Sequence, residues 1–197
     1  MLTPTQKSVK RIFDLSISII VLPFVIFPLI LLLLIAWLST GKNGLFVQVR
    51  IGMHGKAFKL LKIRSLKGER HADILEMKEH ETKFGTWLRR SKLDELPQLF
   101  NIIKGEMSWV GPRPDIPGYA DELKGEDRIV LSVRPGLTGP ATIKYRNEDA
   151  LLLKQQDPKT YNDEVIWPDK VNINKEYIKQ WSLRKDINYI WASITKR

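Results

Sequence analysis

The sequence predicts an α/β protein. An N-terminal hydrophobic re-entrant membrane helix leads into a small α/β domain with a short β-hairpin and membrane-adjacent amphipathic helices. Three observations carry this expectation. Leu15 to Leu38 holds 24 residues without a charge. The runs 45–51 (LFVQVRI) and 57–63 (AFKLLKI) flank a turn, Gly52 to Lys56, and read as two strands. Leu183, Ile187, Ile190, Trp191 and Ile194 recur at helical spacing near the C-terminus. A length of 197 residues leaves room for one compact domain, or for two if one is small.

The apolar run is taken first. As one straight helix it would measure ~36 Å, enough for a hydrocarbon core of ~30 Å. Its only polar side chains are Ser16 and Ser18. A soluble core helix is rarely apolar on every face. The apolar region of a cleaved signal is only ~7–15 residues long, so a retained anchor fits better. Trp37 closes the run where an interfacial aromatic belongs. Pro23 and Pro28 fall near its middle, and each disfavours a straight helix by ~3 kcal/mol in an ordinary interior.

Membrane helices tolerate prolines, so a kinked span stays open beside a re-entrant helix, and charge favours the second. Lys7, Lys10 and Arg11 precede the run, and Lys42, Arg50, Lys56, Lys59, Lys62, Arg64 and Lys67 follow it. No acid occurs between Asp14 and Glu69. Positive flanks mark the cytoplasmic side, and here both flanks are positive. A helix that enters, breaks at the prolines and returns satisfies both; a simple span violates one. Residues 1–40 are assigned to this helix and 41–197 to the domain that follows. The basic stretch 42–67 suits anionic headgroups first and nucleic acid second.

The net charge is +10, from 32 Lys and Arg against 22 Asp and Glu. The absence of cysteine excludes disulfides, thiolate zinc sites and cysteine nucleophiles. With 3 histidines a His-rich metal cage is also disfavoured.

Further elements follow in order. Residues 70–83 read as a polar loop or loose helix. Phe84, Trp87 and Leu88 have helical spacing, ended by Arg89 and Arg90. Ser91 is expected to open a new element, because Ser91-x-x-Asp94 resembles a capping box. Leu93, Leu96, Phe100 and Ile103 continue it, with Pro97 in its first turn and Gly105 at its end. From 108 to 140 Pro and Gly punctuate ordered loops. The C-terminal stripe is open to two readings, a core face or an interfacial face.

Asp94 and Glu95 carry the first chemical signal. Successive helical positions point ~100° apart, so two such carboxylates take different roles. One could be a nucleophile or metal ligand and the other a base. Facing a diphosphate, the pair would call for a divalent cation, and Mg²⁺ suits oxygen ligands. The alternative is that both acids cap a helix. Arg113 sits between two prolines, Arg134 precedes another, and Arg146 follows shortly. Rigidly mounted guanidiniums suit bidentate phosphate recognition. With Lys62 on a short strand, they suggest an anionic substrate beside a membrane.

Five segments together resemble the bacterial sugar transferase family, the monotopic polyprenyl-phosphate phosphoglycosyltransferases. They are Lys10-Arg11-Ile12-Phe13-Asp14, residues 58–65 (FKLLKIRS) and residues 88–101 (LRRSKLDELPQLFN). The others are residues 104–114 (KGEMSWVGPRP) and 133–139 (VRPGLTG). The resemblance implies transfer of a sugar 1-phosphate from a nucleotide-diphosphate sugar, usually a uridine diphosphate sugar, to polyprenyl phosphate. Nucleoside monophosphate is released, and surface glycan assembly begins. It implies Asp94 as nucleophile and Mg²⁺ ligand, Glu95 as helper, and Lys62, Arg89, Arg113 and Arg146 as basic site residues. Arg134 lies in a shared motif and joins the substrate-binding set. It also implies a re-entrant helix in the inner membrane with the catalytic domain, 41–197, on the cytoplasmic face.

The chain departs from the family pattern in places. Phe27 stands before Pro28 where a serine is common, and Pro140-Ala141-Thr142 follows Gly139 where many members have Trp-Ala-Gln. The chain is expected to be the small form. Its partners would be the two substrates and the phospholipid membrane, with self-association into a homo-oligomer compatible and nucleic acid excluded for want of stacking aromatics. The competing reading is a non-catalytic membrane-attached module that binds anionic lipid or a glycan-assembly partner.

Overall fold

The computed structural model describes residues 1–68, 76 and 79–195. The chain is mostly helical, with a few short strands and one long apolar N-terminal helix. It divides into two compact units. One comprises Met1–Asp14, Arg50–Phe58 and Gly105–Arg197, and the other Leu15–Val49 and Lys59–Lys104.

Helix α1 runs from Pro4 to Thr40 with Pro23 and Pro28 inside it. Only 11% of its most apolar 18-residue window is buried. Phe24 and Phe27 are 77% and 76% exposed. Apolar side chains so exposed in water would be costly, at ~25 cal/mol per Å² of apolar surface. A lipid environment removes that cost, and the helix is associated with a membrane.

Within the second unit Leu29, Leu32 and Ala36 of α1 pack with Ile63 and Leu88. The predicted hairpin is present as β1 (Leu45–Ile51) and β2 (Ala57–Ile63), with both ends where the sequence placed them. A 3-10 turn, Met53–Gly55, fills the connection. The predicted polar stretch 70–83 lies largely outside the described residues. Helix α2 (Lys83–Ser91) is capped by Thr82, whose hydroxyl accepts from the Gly85 backbone N–H at 2.9 Å. Helix α3 (Gln98–Lys104) ends at Gly105, whose φ of +86° explains the glycine.

The first unit contains a pair of strands that the sequence did not reveal. Strands β3 (Ser108–Val110) and β4 (Gly136–Thr138) pair in parallel, with Ser108 opposite Gly136 and Val110 opposite Thr138. Their 3 residues each are too short for periodicity to register. Short helices α4 (Pro140–Lys144), α5 (Glu148–Leu152) and α6 (Pro158–Tyr161) follow. Then come α7 (Trp167–Lys179) and α8 (Leu183–Thr195). Leu2, Val110, Val133, Tyr177, Ile178 and Trp181 form the core of this unit.

The C-terminal stripe divides between two faces. Leu183 and Ile190 of α8 pack on that core. Ile187, Trp191 and Ile194 are 50%, 68% and 58% exposed. A purely core-facing stripe is therefore incorrect: positions 187, 191 and 194 share a face that turns away from the core.

The β3–β4 pair explains the motif glycines. A Cβ on Gly111 would lie 2.6 Å from the Arg134 carbonyl oxygen and 3.0 Å from Gly136 N. A Cβ on Gly136 would collide with the Gly111 nitrogen, and one on Gly139 with the Gly111 oxygen. Backbone lies directly against backbone, so no side chain can yield. Gly136→Ala is expected to cost ~1–3 kcal/mol through overpacking, a fall in unfolding midpoint of roughly 3–10 °C. A wild-type midpoint in a thermal scan of Gly136→Ala would show that this contact is not under compression.

Candidate active site

Asp94 and Glu95 occupy a 3-10 turn, Leu93–Glu95, between α2 and α3. The turn exists because Lys92 adopts a left-handed conformation, φ 61° and ψ 15°, which stops α2. Ser91 is not the start of a new element, contrary to the capping-box expectation. It is the last residue of α2, and its hydroxyl donates back to the Trp87 and Leu88 carbonyls at 2.8 and 3.1 Å. Asp94 and Glu95 lie just before α3, and they are 7% and 8% exposed.

Lys62, near the end of β2, faces both acids. Its Nζ lies 3.9 Å from Asp94 Oδ2 and 3.6 Å from Glu95 Oε1. Attraction at such distances reaches ~4 kcal/mol per pair at an effective dielectric constant of ~20. Two carboxylates against one ammonium leave this group of three with one excess negative charge.

Asn101 of α3 fixes the strand that carries Lys62. Its Oδ1 accepts from Leu61 N at 3.1 Å, and its Nδ2 donates to the Lys59 carbonyl at 2.8 Å. Arg89 Nη1 lies 3.5 Å from Glu81 Oε1. Neither Asn101 nor Glu81 was singled out in the sequence. Asn101 carries no chemistry of its own, and Glu81 sits in a stretch rich in charge.

The remaining predicted residues belong to the first unit. Arg113 is half-buried on the strap between Pro112 and Pro114. Arg134 Nε donates to the Gly105 carbonyl at 2.7 Å. Arg146 Nη2 donates to the Ala192 and Ser193 carbonyls at 3.4 and 3.0 Å, which caps the end of α8. The structure thus brings Lys62, Asp94 and Glu95 together, pairs Arg89 with Glu81, and engages Arg134 and Arg146 with backbone carbonyls.

Among the described residues, no group of three or more His, Cys, Asp or Glu could hold a metal. An all-protein cage is therefore not the arrangement present. Mg²⁺ characteristically takes one or two carboxylates and completes its shell with water and substrate phosphate. The hard oxygens of Asp94, with Glu95 beside it, fit that donor set.

Residues 5–197 match the bacterial sugar transferase family, and the chain belongs to it. It is 32% identical to the sugar transferase EpsL of Bacillus subtilis over 95% of this chain and 86% of that one. It is 31% identical to the UDP-glucose:undecaprenyl-phosphate glucose-1-phosphate transferase of Escherichia coli, over 99% of this chain and 41% of the relative. To the undecaprenyl-phosphate galactose phosphotransferase of Salmonella typhimurium the identity is 29%, over 96% and 40% respectively. The chain thus spans most of EpsL and about two-fifths of the two larger relatives.

Removing the Asn101 clamp tests how the site is held. Asn101→Ala leaves Leu61 N–H and Lys59 C=O of β2 without that partner, at a cost of ~1–3 kcal/mol. The variant is expected to unfold earlier and to turn over more slowly, because Lys62 is the next residue on the strand. Wild-type values for both midpoint and turnover would remove Asn101 from the account.

Proposed function

We propose that this protein transfers a sugar 1-phosphate from a nucleotide-diphosphate sugar to polyprenyl phosphate, as the first membrane step of surface glycan assembly. The observation that carries the reading is the buried Asp94–Glu95 pair facing Lys62, in a chain of this family that also bears a membrane helix. The relatives' names support a uridine diphosphate donor and an undecaprenyl phosphate acceptor.

The chemistry follows from the site. An Asp94 oxygen attacks the β-phosphorus, and the bond from that phosphorus to the bridging oxygen breaks. Nucleoside monophosphate leaves, and a phosphosugar ester remains on Asp94. An oxygen of polyprenyl phosphate then attacks the same phosphorus, and the Asp94 carboxylate leaves. Glu95 takes the acceptor's proton or holds the acceptor in line. Lys62 balances one carboxylate, so that an anionic donor can approach. Asp94, with Glu95, would hold Mg²⁺, which when bound would offset the repulsion between the acids and the diphosphate. Arg89, Arg113, Arg134 and Arg146 form the proposed substrate-binding set. Arg113 is the residue best suited to a bidentate grip, because prolines fix its backbone on both sides.

The membrane arrangement belongs to the same reading. In this reading residues 1–40 enter and leave the membrane on one face, with the turn at Pro23 or Pro28, where a backbone donor is missing; both prolines lie inside the helix Pro4–Thr40. Residues 41–197 form the catalytic part on the cytoplasmic face of the inner membrane. The exposed Trp87 of α2 and Trp191 of α8 suit helices that lie in the interface.

Two experiments test the two halves of this reading. Thr5→Cys and Lys42→Cys should both be shielded from an impermeant reagent applied outside the cell. Labelling of residue 5 from outside would restore a simple span. Without acceptor, wild-type protein supplied with Mg²⁺ should release a burst of nucleoside monophosphate no larger than the enzyme present. Asp94→Asn keeps the shape of the side chain and should abolish the burst with the fold intact. A burst that survives in Asp94→Asn would remove Asp94 as the nucleophile, and absence of the burst in active wild-type protein would rule out the covalent route.

A further inference from the structure

Arg64, two residues past Lys62, is tied to the link between α1 and β1. Its backbone N–H donates to the Gly44 carbonyl at 2.6 Å, and its Nε donates to the Asn43 carbonyl at 2.8 Å. Nη1 reaches the Gly68 carbonyl at 3.4 Å, and the guanidinium lies over the Phe46 ring, 5.3 Å from its centre. Gly44 is in turn pressed against α1, where a Cβ would collide with the Leu33 carbonyl oxygen. The Arg64 head is thus held in place relative to the second half of the membrane helix. Its bonds go to neutral carbonyls and a ring, and among the described residues no carboxylate pairs with it. A fixed guanidinium whose charge is unbalanced, with Nη2 still to be used, suits a phosphate.

The same two residues, Asn43 and Gly44, form the polar end of a cavity of about 560 Å³. Its other walls are Ile30, Leu33, Leu34 and Trp37 of α1. Leu33 packs on the core of the second unit, while Ile30, Leu34 and Trp37 are 60%, 48% and 52% exposed. These positions belong to the last part of the apolar run, and Trp37 marks the level of the membrane interface. From Ile30 to Trp37 a helix rises ~10 Å. The site is therefore an apolar trough along the helix with a cation tied to its interfacial end. The ligand that matches both halves is an apolar chain ending in a phosphate.

Two such ligands meet this helix, a phospholipid and the phosphate-bearing acceptor, and the neighbourhood favours the second. Ile63 is buried, and alternation along an extended chain puts Lys62 and Arg64 together on the opposite side, ~7 Å apart. Lys62 faces Asp94 and Glu95. A phosphate held by Arg64 is accordingly one strand repeat from the residue that faces the acids, where a phospholipid would only obstruct the approach.

We propose that the trough of Ile30, Leu33, Leu34 and Trp37, closed at its polar end by Asn43, Gly44 and Arg64, is the acceptor site: it seats the first part of the polyprenyl chain and Arg64 holds the phosphate. This rests on the transferase reading given above and adds to it where the acceptor enters. The nucleotide sugar does not use this site, so the two substrates are recognised by different residues.

The test uses the full-length protein in detergent micelles, with nucleotide sugar and polyprenyl phosphate varied in turn and nucleoside monophosphate as readout. Arg64→Gln is expected to raise KM for the acceptor about tenfold, with KM for the nucleotide sugar within about twofold of wild type. Arg64→Lys keeps the charge without the fork and should recover the acceptor KM to within about threefold. Leu34→Trp fills the trough from an exposed position and leaves the guanidinium intact. It should raise the acceptor KM about fivefold and again spare the donor. If Arg64→Gln and Leu34→Trp both keep the wild-type acceptor KM, the site is not the acceptor's and the proposal falls while the transferase reading stands. If Arg64→Gln raises both KM values and lowers the unfolding midpoint, with Leu34→Trp like wild type, Arg64 is structural and the proposal is overturned. If phosphatidylglycerol at the acceptor's mole fraction inhibits wild type but not Arg64→Gln, the trough is a general phospholipid seat and the proposal is again overturned. Wild-type protein that releases no nucleoside monophosphate with polyprenyl phosphate present would remove the transferase reading, and the acceptor site with it.

Discussion

A carboxylate with no exposure to water, Asp186, holds the first unit together. Its oxygens take hydrogen bonds from Lys10 Nζ at 2.6 Å, Tyr177 OH at 2.7 Å and Trp181 Nε1 at 3.0 Å. An unpaired charge at such depth would cost several kcal/mol, so these donors are obligatory partners. They come from the start of α1, from α7 and from the turn before α8. One turn further along α1, Asp14 accepts from Ser108 Oγ at 3.0 Å and from Trp109 N at 3.1 Å. These bonds place β3. Once β3 is placed, β4 can pair with it only if Gly111, Gly136 and Gly139 lack side chains. The Arg113 strap and the Arg134 backbone hang from that pair. A buried ion pair within the first unit thus fixes where two of the proposed phosphate ligands begin.

The second unit solves a different problem. Two adjacent acids must be kept buried and yet unequal. A regular helix would turn them ~100° apart and leave one exposed to water. The left-handed Lys92 breaks α2, and the tight turn that follows buries both Asp94 and Glu95 toward Lys62. Lys62 approaches Glu95 slightly more closely than Asp94, at 3.6 against 3.9 Å. The excess negative charge also explains why a cation accompanying the diphosphate belongs to the reading.

How far the sequence could be read depended on the range of the interaction involved. The hairpin was legible because alternation, turn glycines and strand length are all local to 45–63. The apolar helix was legible because its signal is 24 residues long. The β3–β4 pair was not, because two 3-residue strands meet across a long crossover and neither carries a period. Ser91 misled because Ser-x-x-Asp imitates a cap, whereas the break lies one residue later in the dihedrals of Lys92. Asp94 and Glu95 stood out as an adjacent acid pair and Lys62 as a cation on a short strand, but their specific roles came only from motifs that keep family order. The partners that hold the site, Asn101 above all, act by bonding to backbone and leave no compositional trace.

The tail after residue 150, which offered the sequence reading little, supplies what the motif loops lack. Arg146 caps α8 through the Ala192 and Ser193 carbonyls. Lys144 and Tyr145 both reach Asp169, at 2.7 and 2.6 Å. Lys170 holds Glu148, and Asp186 holds Lys10. The basic residues of the 140s are therefore matched by acids or carbonyls of the last fifty residues, contact by contact. A loop rich in Pro and Gly has too little apolar surface to order itself, and charge repulsion within it would work against order. Pairing its cations with a helical tail removes that repulsion and anchors the loop at several points. Within the first unit, the motif loops supply the rigid turns and the tail supplies the partners that hold them.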